Sequence, residues 1–158
     1  MIRKLLFLLF ICCVILNFAV FLLAQEPDYN KLLTVTDIQK VTGLSGVKQV
    51  PRNPQKGAGG HLNFARADNQ MILIAIFLPV SQYGAYKSEK DMVKSTVQGV
   101  GEEAFIGPGV MDPQYMLAFK KGNYCVAIST FVDVENPDKT TLTMDQVIAI
   151  GKIVAGRI

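Results

Sequence analysis

Met71–Leu78 (Met-Ile-Leu-Ile-Ala-Ile-Phe-Leu) is an unbroken apolar run that stops at Pro79. It is too short to cross a membrane, and it lacks the polar positions that a surface helix requires. Branched and aromatic side chains dominate it. The run therefore reads as a central strand covered on both faces, in which Ile74 would be buried and Ile74→Asp would unfold the domain. Burying each such side chain contributes roughly 1.5–3 kcal/mol, more than any other short piece of the chain can offer.

A second apolar run lies at the start. Arg3 and Lys4 precede Leu5–Ala24, which only Asn17 interrupts. A basic stretch followed by an apolar core is the pattern of an export signal. At about 1.5 Å per residue the run is also long enough to cross a ~30 Å hydrocarbon core. Residues 1–24 are thus expected to be a signal peptide or an N-terminal membrane anchor. Residues 25–32 are a short polar leader, and residues 33–158 form a single domain. If the anchor is kept, the positive end stays cytoplasmic and the domain lies outside. Phe10 and Ile11 precede Cys12, where lipid attachment would need a small residue.

Removing Arg3 and Lys4 takes the formal net charge from +3 to +1. The domain then lacks the clustered positive charge of a nucleic-acid binder. Cys125 is the single cysteine after Cys13. It cannot form a disulfide within the domain, and it reads as a buried strand thiol or the site of an intermolecular bridge.

Along the domain, Thr36 and Gln39 fit a capping box and Gly43 fits the residue just past a helix end, which predicts a short helix with Ile38 and Val41 inward. Val47–Val50 reads as a brief strand. Residues 61–67 and 71–78 read as a hairpin through Asp68-Asn69-Gln70. The spacing of Tyr83, Tyr86, Lys90, Val93 and Val97 predicts a solvent-facing helix over 82–97. A turn and a short strand follow within 98–109. Tyr115–Phe119 and Asn123–Val132 read as strands joined through Lys120-Lys121-Gly122. Thr143 and Gln146 fit a second capping box, opening a helix with Met144, Val147, Ile148, Gly151, Val154, Ala155 and Ile158 on its inner stripe. Gly151 on that stripe predicts a close approach to the sheet. Sequential hairpins imply an α+β domain: an antiparallel sheet with helices on its faces.

This order carries a resemblance. Asp37-Ile38-Gln39-Lys40-Val41-Thr42-Gly43, then Gly99-Val-Gly-Glu-Glu-Ala-Phe105, then the hairpin Leu117–Ile128 and a final helix follow one another as in small exported bacterial proteins of uncharacterised function. Those proteins resemble the α/β/α sandwich of PsbP, the extrinsic photosystem II subunit. The resemblance implies a PsbP-like fold over roughly 33–158 and a non-catalytic accessory or binding role outside the membrane. It assigns no functional residue.

The residues themselves offer few chemical sites. Gly99-Val-Gly-Glu-Glu-Ala104 matches the loose dinucleotide pattern, but Gly107-Pro108-Gly109 stops any following helix and Glu102 and Glu103 would oppose a pyrophosphate. The Gly57–Gly60 stretch, with Arg52 and Lys56, can cradle an anion only as a backbone nest, because the Gly-Lys-Ser/Thr ending of a phosphate loop is missing. His61 is the sole histidine, too few imidazoles for a common zinc site. It is a conceivable base for the Cys125 thiol. Lys87, Lys90 and Lys94 read as a solvated helix face.

No catalytic residue, metal or cofactor is expected. The candidate partner-binding residues are Arg52, Lys56, His61, Tyr83 and Tyr86, the tyrosines because aromatic side chains are enriched at protein interfaces. The expected partner is another envelope or secreted protein, with membrane contact only through Leu5–Ala24. The expected function is an exported, non-enzymatic binding or accessory module at the outer face of the cytoplasmic membrane. The alternatives are a small extracytoplasmic hydrolase or thiol enzyme using His61 and Cys125, and a structural subunit of an envelope complex.

Overall fold

The computed structural model describes residues 28–51 and 60–158. A single turn, α1 (Tyr29–Leu32), leads into α2 (Val35–Thr42). Strands β1 (Lys48–Val50), β2 (His61–Ala65) and β3 (Met71–Pro79) follow, then α3 (Ser81–Ser88). Next come β4 (Ser95–Val97), β5 (Glu103–Pro108), β6 (Tyr115–Lys121) and β7 (Tyr124–Thr130), and the closing helix α4 (Met144–Ala155). All pairings are antiparallel in one seven-stranded sheet of order β1-β2-β3-β7-β6-β5-β4. The expected α+β domain is present, with β7 in the middle and β3 beside it.

The two faces are covered unequally. On one, Leu62, Phe64, Leu73, Ala75, Phe77, Leu117, Phe119, Val126 and Ile128 meet Ile38 of α2 and Val147, Ile150 and Val154 of α4 in one large core. On the other, α3 alone lays Tyr83 over Phe105, Met116, Ala118, Cys125 and Ala127. Within β3 the consequence is direct. Leu73, Ala75 and Phe77 are fully buried, whereas Ile74, Ile76 and Leu78 are only partly so. Both faces of the run are thus covered, as expected, but unequally: the run is unbroken because the half-covered face is apolar too. A bulge opposite Phe64 and Ala65 gives β3 one extra residue, which lets the consecutive Ile72 and Leu73 both be buried.

Local signals explain most boundaries. The first capping box uses Thr34 and Asp37, not Thr36 and Gln39: Thr34 Oγ1 accepts from the Asp37 N–H at 3.2 Å, and Asp37 Oδ2 accepts from the Thr34 N–H at 2.9 Å. The helix so opened ends at Gly43, as its sequence indicates. The second box, Thr143 with Gln146, starts α4 as expected. The helix expected over 82–97 stops at Ser88. Glu89 is extended and Asp91 takes φ 61°, which turns the chain so that Ser95–Val97 becomes an edge strand on β5. On α4, Ile150 takes an inward place while Met144 points outward, 44 % exposed. Gly151 lies where an added Cβ would come 2.5 Å from Leu117 Cδ2, so the close approach of helix to sheet is real.

Candidate functional site

The half-covered face gathers most of the chemistry-bearing side chains. Directly paired strand residues share a face, so His61, Ile76, Ala127, Ala118 and Phe105 form one row across the sheet. Leu78, Cys125, Lys120 and Glu103 form the next. His61 and Cys125 are therefore on the same side, but β3 stands between their strands and they sit one row apart. Two strand spacings of ~4.8 Å and two residues of rise put their backbones on the order of 12 Å from each other. The imidazole and the thiol do not form a pair.

Cys125 lies fully buried beneath α3. Burial among apolar side chains pushes its thiol up to about 11, so it is protonated at neutral pH. Tyr83 is 4 % exposed, stacked at a tilt on Phe105 with ring centroids 5.6 Å apart, with the Lys120 ammonium 5.6 Å from its own ring. Burial first, then the nearby Glu103 charge, raise its phenol to about 12. Tyr86 is half-buried against the same cluster. Of the two tyrosines, only Tyr86 keeps surface to offer a partner.

Glu103 carries ion pairs to Lys87 of α3 and to Lys120, the latter at 3.0 Å. Hydrogen bonding to Lys87, and then to Lys120, holds its carboxyl below the usual range. Lys87, still exposed as expected, also ties α3 to the sheet. Glu102 accepts from the Gly122 N–H at 2.9 Å, joining the β4–β5 turn to the β6–β7 turn. The glycines before it hold a tight turn: Gly101 has φ 59°, and a Cβ there would strike the Lys120 carbonyl. A strand, β5, follows this turn, so it presents no helix N-terminus to a pyrophosphate.

His61 is partly buried at the start of β2. Beside it on the same face, Asn63 is 6 % exposed, and its Oδ1 has no hydrogen-bond partner among the described residues. Nothing in the sequence set this asparagine apart from an ordinary strand polar residue. Arg52 and Lys56 lie outside the described residues. Among the described residues no group of three or more His, Cys, Asp or Glu side chains is arranged to hold a metal ion, and no helix is long and apolar enough to cross a membrane.

Fold and side chains together define a small α+β domain with one sealed sheet face and one lightly covered face, where Glu103 links Lys87 of α3 to Lys120 of β6. Comparison of the chain with family models, with curated proteins and with solved structures finds no match in any of the three.

Proposed function

We propose that this chain is an exported, non-enzymatic binding or accessory module that works at the outer face of the cytoplasmic membrane. In this reading the domain is a PsbP-like α/β/α sandwich carried behind an N-terminal hydrophobic segment. The observation that carries the non-enzymatic part is the state of the reactive groups. The Cys125 thiol is buried and protonated with His61 beyond reach, Glu103 is held between two lysines, and Glu102 caps a backbone N–H. A nucleophile needs an adjacent base or a lowered pKa, and a general acid–base group needs freedom to exchange its proton. Export rests on Arg3 and Lys4 ahead of Leu5–Ala24.

A reporter enzyme that works only outside the cytoplasm, fused after Ile158, tests export: activity is expected, and a silent fusion with cytoplasmic protein would overturn it. The triple variant His61→Ala, Cys125→Ala, Glu102→Gln tests the rest. It should retain its envelope partner, whereas loss of a measurable hydrolase or thiol-exchange turnover with folding intact would make the chain an enzyme.

A further inference from the structure

Five large apolar side chains stand exposed among the described residues: Val93, Val110, Met111, Val134 and Met144. Four of them gather at one end of the sheet. Val110, at 92 %, and Met111, at 59 %, occupy the turn between β5 and β6. Val134, at 76 %, is on the excursion between β7 and α4, and Met144 opens α4. Antiparallel pairing places these segments together. Pro108 faces Tyr115 and Met116 faces Ser129, while the Tyr115 hydroxyl donates to the Leu142 carbonyl at 2.8 Å. The excursion closes on itself through the Val132–Thr140 bridge and reaches the β2–β3 turn, where Arg66 meets Glu135 at 3.4 Å. From β3 to β5 is three strand steps, so the apolar residues line a rim on the order of 15 Å long.

Charge at this rim has one dominant sign. Asp68, Asp112, Asp133, Glu135, Asp138 and Asp145 lie on the segments at this end, against Lys139, an Arg66 already engaged by Asp68 and Glu135, a Lys48 held by Asn69 of the β2–β3 turn at 2.6 Å, and Lys94 just ahead of β4, which leaves an acidic excess. The chain enters the domain at the other end, where Tyr29 packs on Phe77 with ring centroids 4.9 Å apart and lies against Gly60.

We propose that this acidic, apolar rim docks a protein segment whose apolar side chains are flanked by lysine or arginine. The proposal rests on the accessory-module reading and gives that module its contact surface. Exposed valines and methionines supply area that gains by being covered, and methionine adapts its shape to a partner. The carboxylates select a basic partner and repel an anionic bilayer surface.

The test is photo-crosslinking in the full chain within intact envelope, with the crosslinking side chain placed at Val110, at Val134 or, on the opposite end, at Gln98. Adducts are expected from the first two positions and not from the third. Mass spectrometry should place them on a protein segment with apolar residues next to lysine or arginine. Asp112→Lys with Asp138→Lys, both at exposed positions, should keep the wild-type melting temperature and lower the adduct yield about tenfold, as loss of central interface contacts does. Adducts with lipid, with a second copy of the chain or with an acidic segment would overturn the proposal. So would the absence of any adduct, or yields unmoved by the charge reversal. Fractionation of the same cells separates the two readings: a cytoplasmic chain defeats export, whereas envelope chain crosslinked only from Gln98 defeats the rim and leaves export standing.

Discussion

Arg157 grips Asp37 with both prongs of its guanidinium, Nη1 to Oδ2 at 2.6 Å and Nη2 to Oδ1 at 2.7 Å. The same Nη1 donates to the carbonyls of Lys31 and Leu32, at 3.3 and 3.2 Å. One side chain just beyond α4 thus fastens α1 and the first turn of α2, while Asp37 also closes the capping box with Thr34. Bidentate, charge-assisted geometry makes this a strong polar tie.

That tie predicts an acid-sensitive step. The Arg157 hydrogen bond, ahead of the opposing effect of burial, lowers the Asp37 carboxyl from 3.8 to about 2. A carboxylate with a depressed folded pKa stabilises fully above its unfolded value and loses that contribution as pH falls through the folded one. Stability should therefore fall between about pH 4 and pH 2 by on the order of 1–2 kcal/mol, discounted for the part-exposed guanidinium. Asp37→Asn should flatten this limb of the curve, as read by urea denaturation at a series of pH values. An unchanged acid limb would remove Asp37 as its origin.

The unequal cover of β3 predicts unequal mutational costs. Ala75→Asp places a carboxylate in the sealed core and should prevent folding. Phe77→Ala should cost roughly 3–5 kcal/mol. Ile74→Asp, on the partly open face, should be tolerated better than Ala75→Asp, with a folded spectrum retained. Circular dichroism melts of the three variants decide the order; equal loss at 74 and 75 would mean that both faces are sealed.

Where α4 meets β6, Gly151→Val should destabilise by roughly 1–3 kcal/mol, because its side chain would enter the space of the buried Leu117. Pairing it with Leu117→Ala should recover part of the loss, which a double-mutant cycle in guanidinium would register as a coupling between the two sites. Strictly additive costs would place the strain elsewhere.

The caps are separable from the core. Thr34→Ala should cost about 1 kcal/mol, and Thr36→Ala, at an exposed position inside the helix, close to nothing. Thermal melts compare the two directly.

These residues also mark what the sequence discloses. The two hairpins, the α4 cap at Thr143 and the close approach at Gly151 are legible because turn chemistry, capping and apolar periodicity are local properties. The offset between Thr34 and Thr36 is not, since two threonines two residues apart both have a plausible acceptor three positions on. The stretch 82–97 misleads because Tyr83 and Tyr86 have true helical spacing while Lys90, Val93 and Val97 share it by coincidence. Only the left-handed Asp91 and the pairing of Ser95–Val97 with β5 break the run, and that pairing is a long-range event. Met144 fits the inner stripe in periodicity but overhangs the end of the sheet. Of the residues singled out as partner-binding, Tyr83 is spent on the second core cluster. The exposed rim is not legible in the sequence, because Val110, Met111 and Val134 lie on separate segments that only topology assembles.

The single helix over the half-covered face makes Cys125 a built-in reporter of motion. The thiol is roofed by α3, whose side chains form a small cluster distinct from the main core. If α3 lifts without the sheet coming apart, an alkylating reagent will reach the sulfur at a rate that barely responds to low denaturant. If the sulfur is reached only through complete unfolding, the rate will rise with denaturant as steeply as global stability falls. The domain thus carries, in one side chain, a clock that times the opening of its lighter layer against the lifetime of the whole.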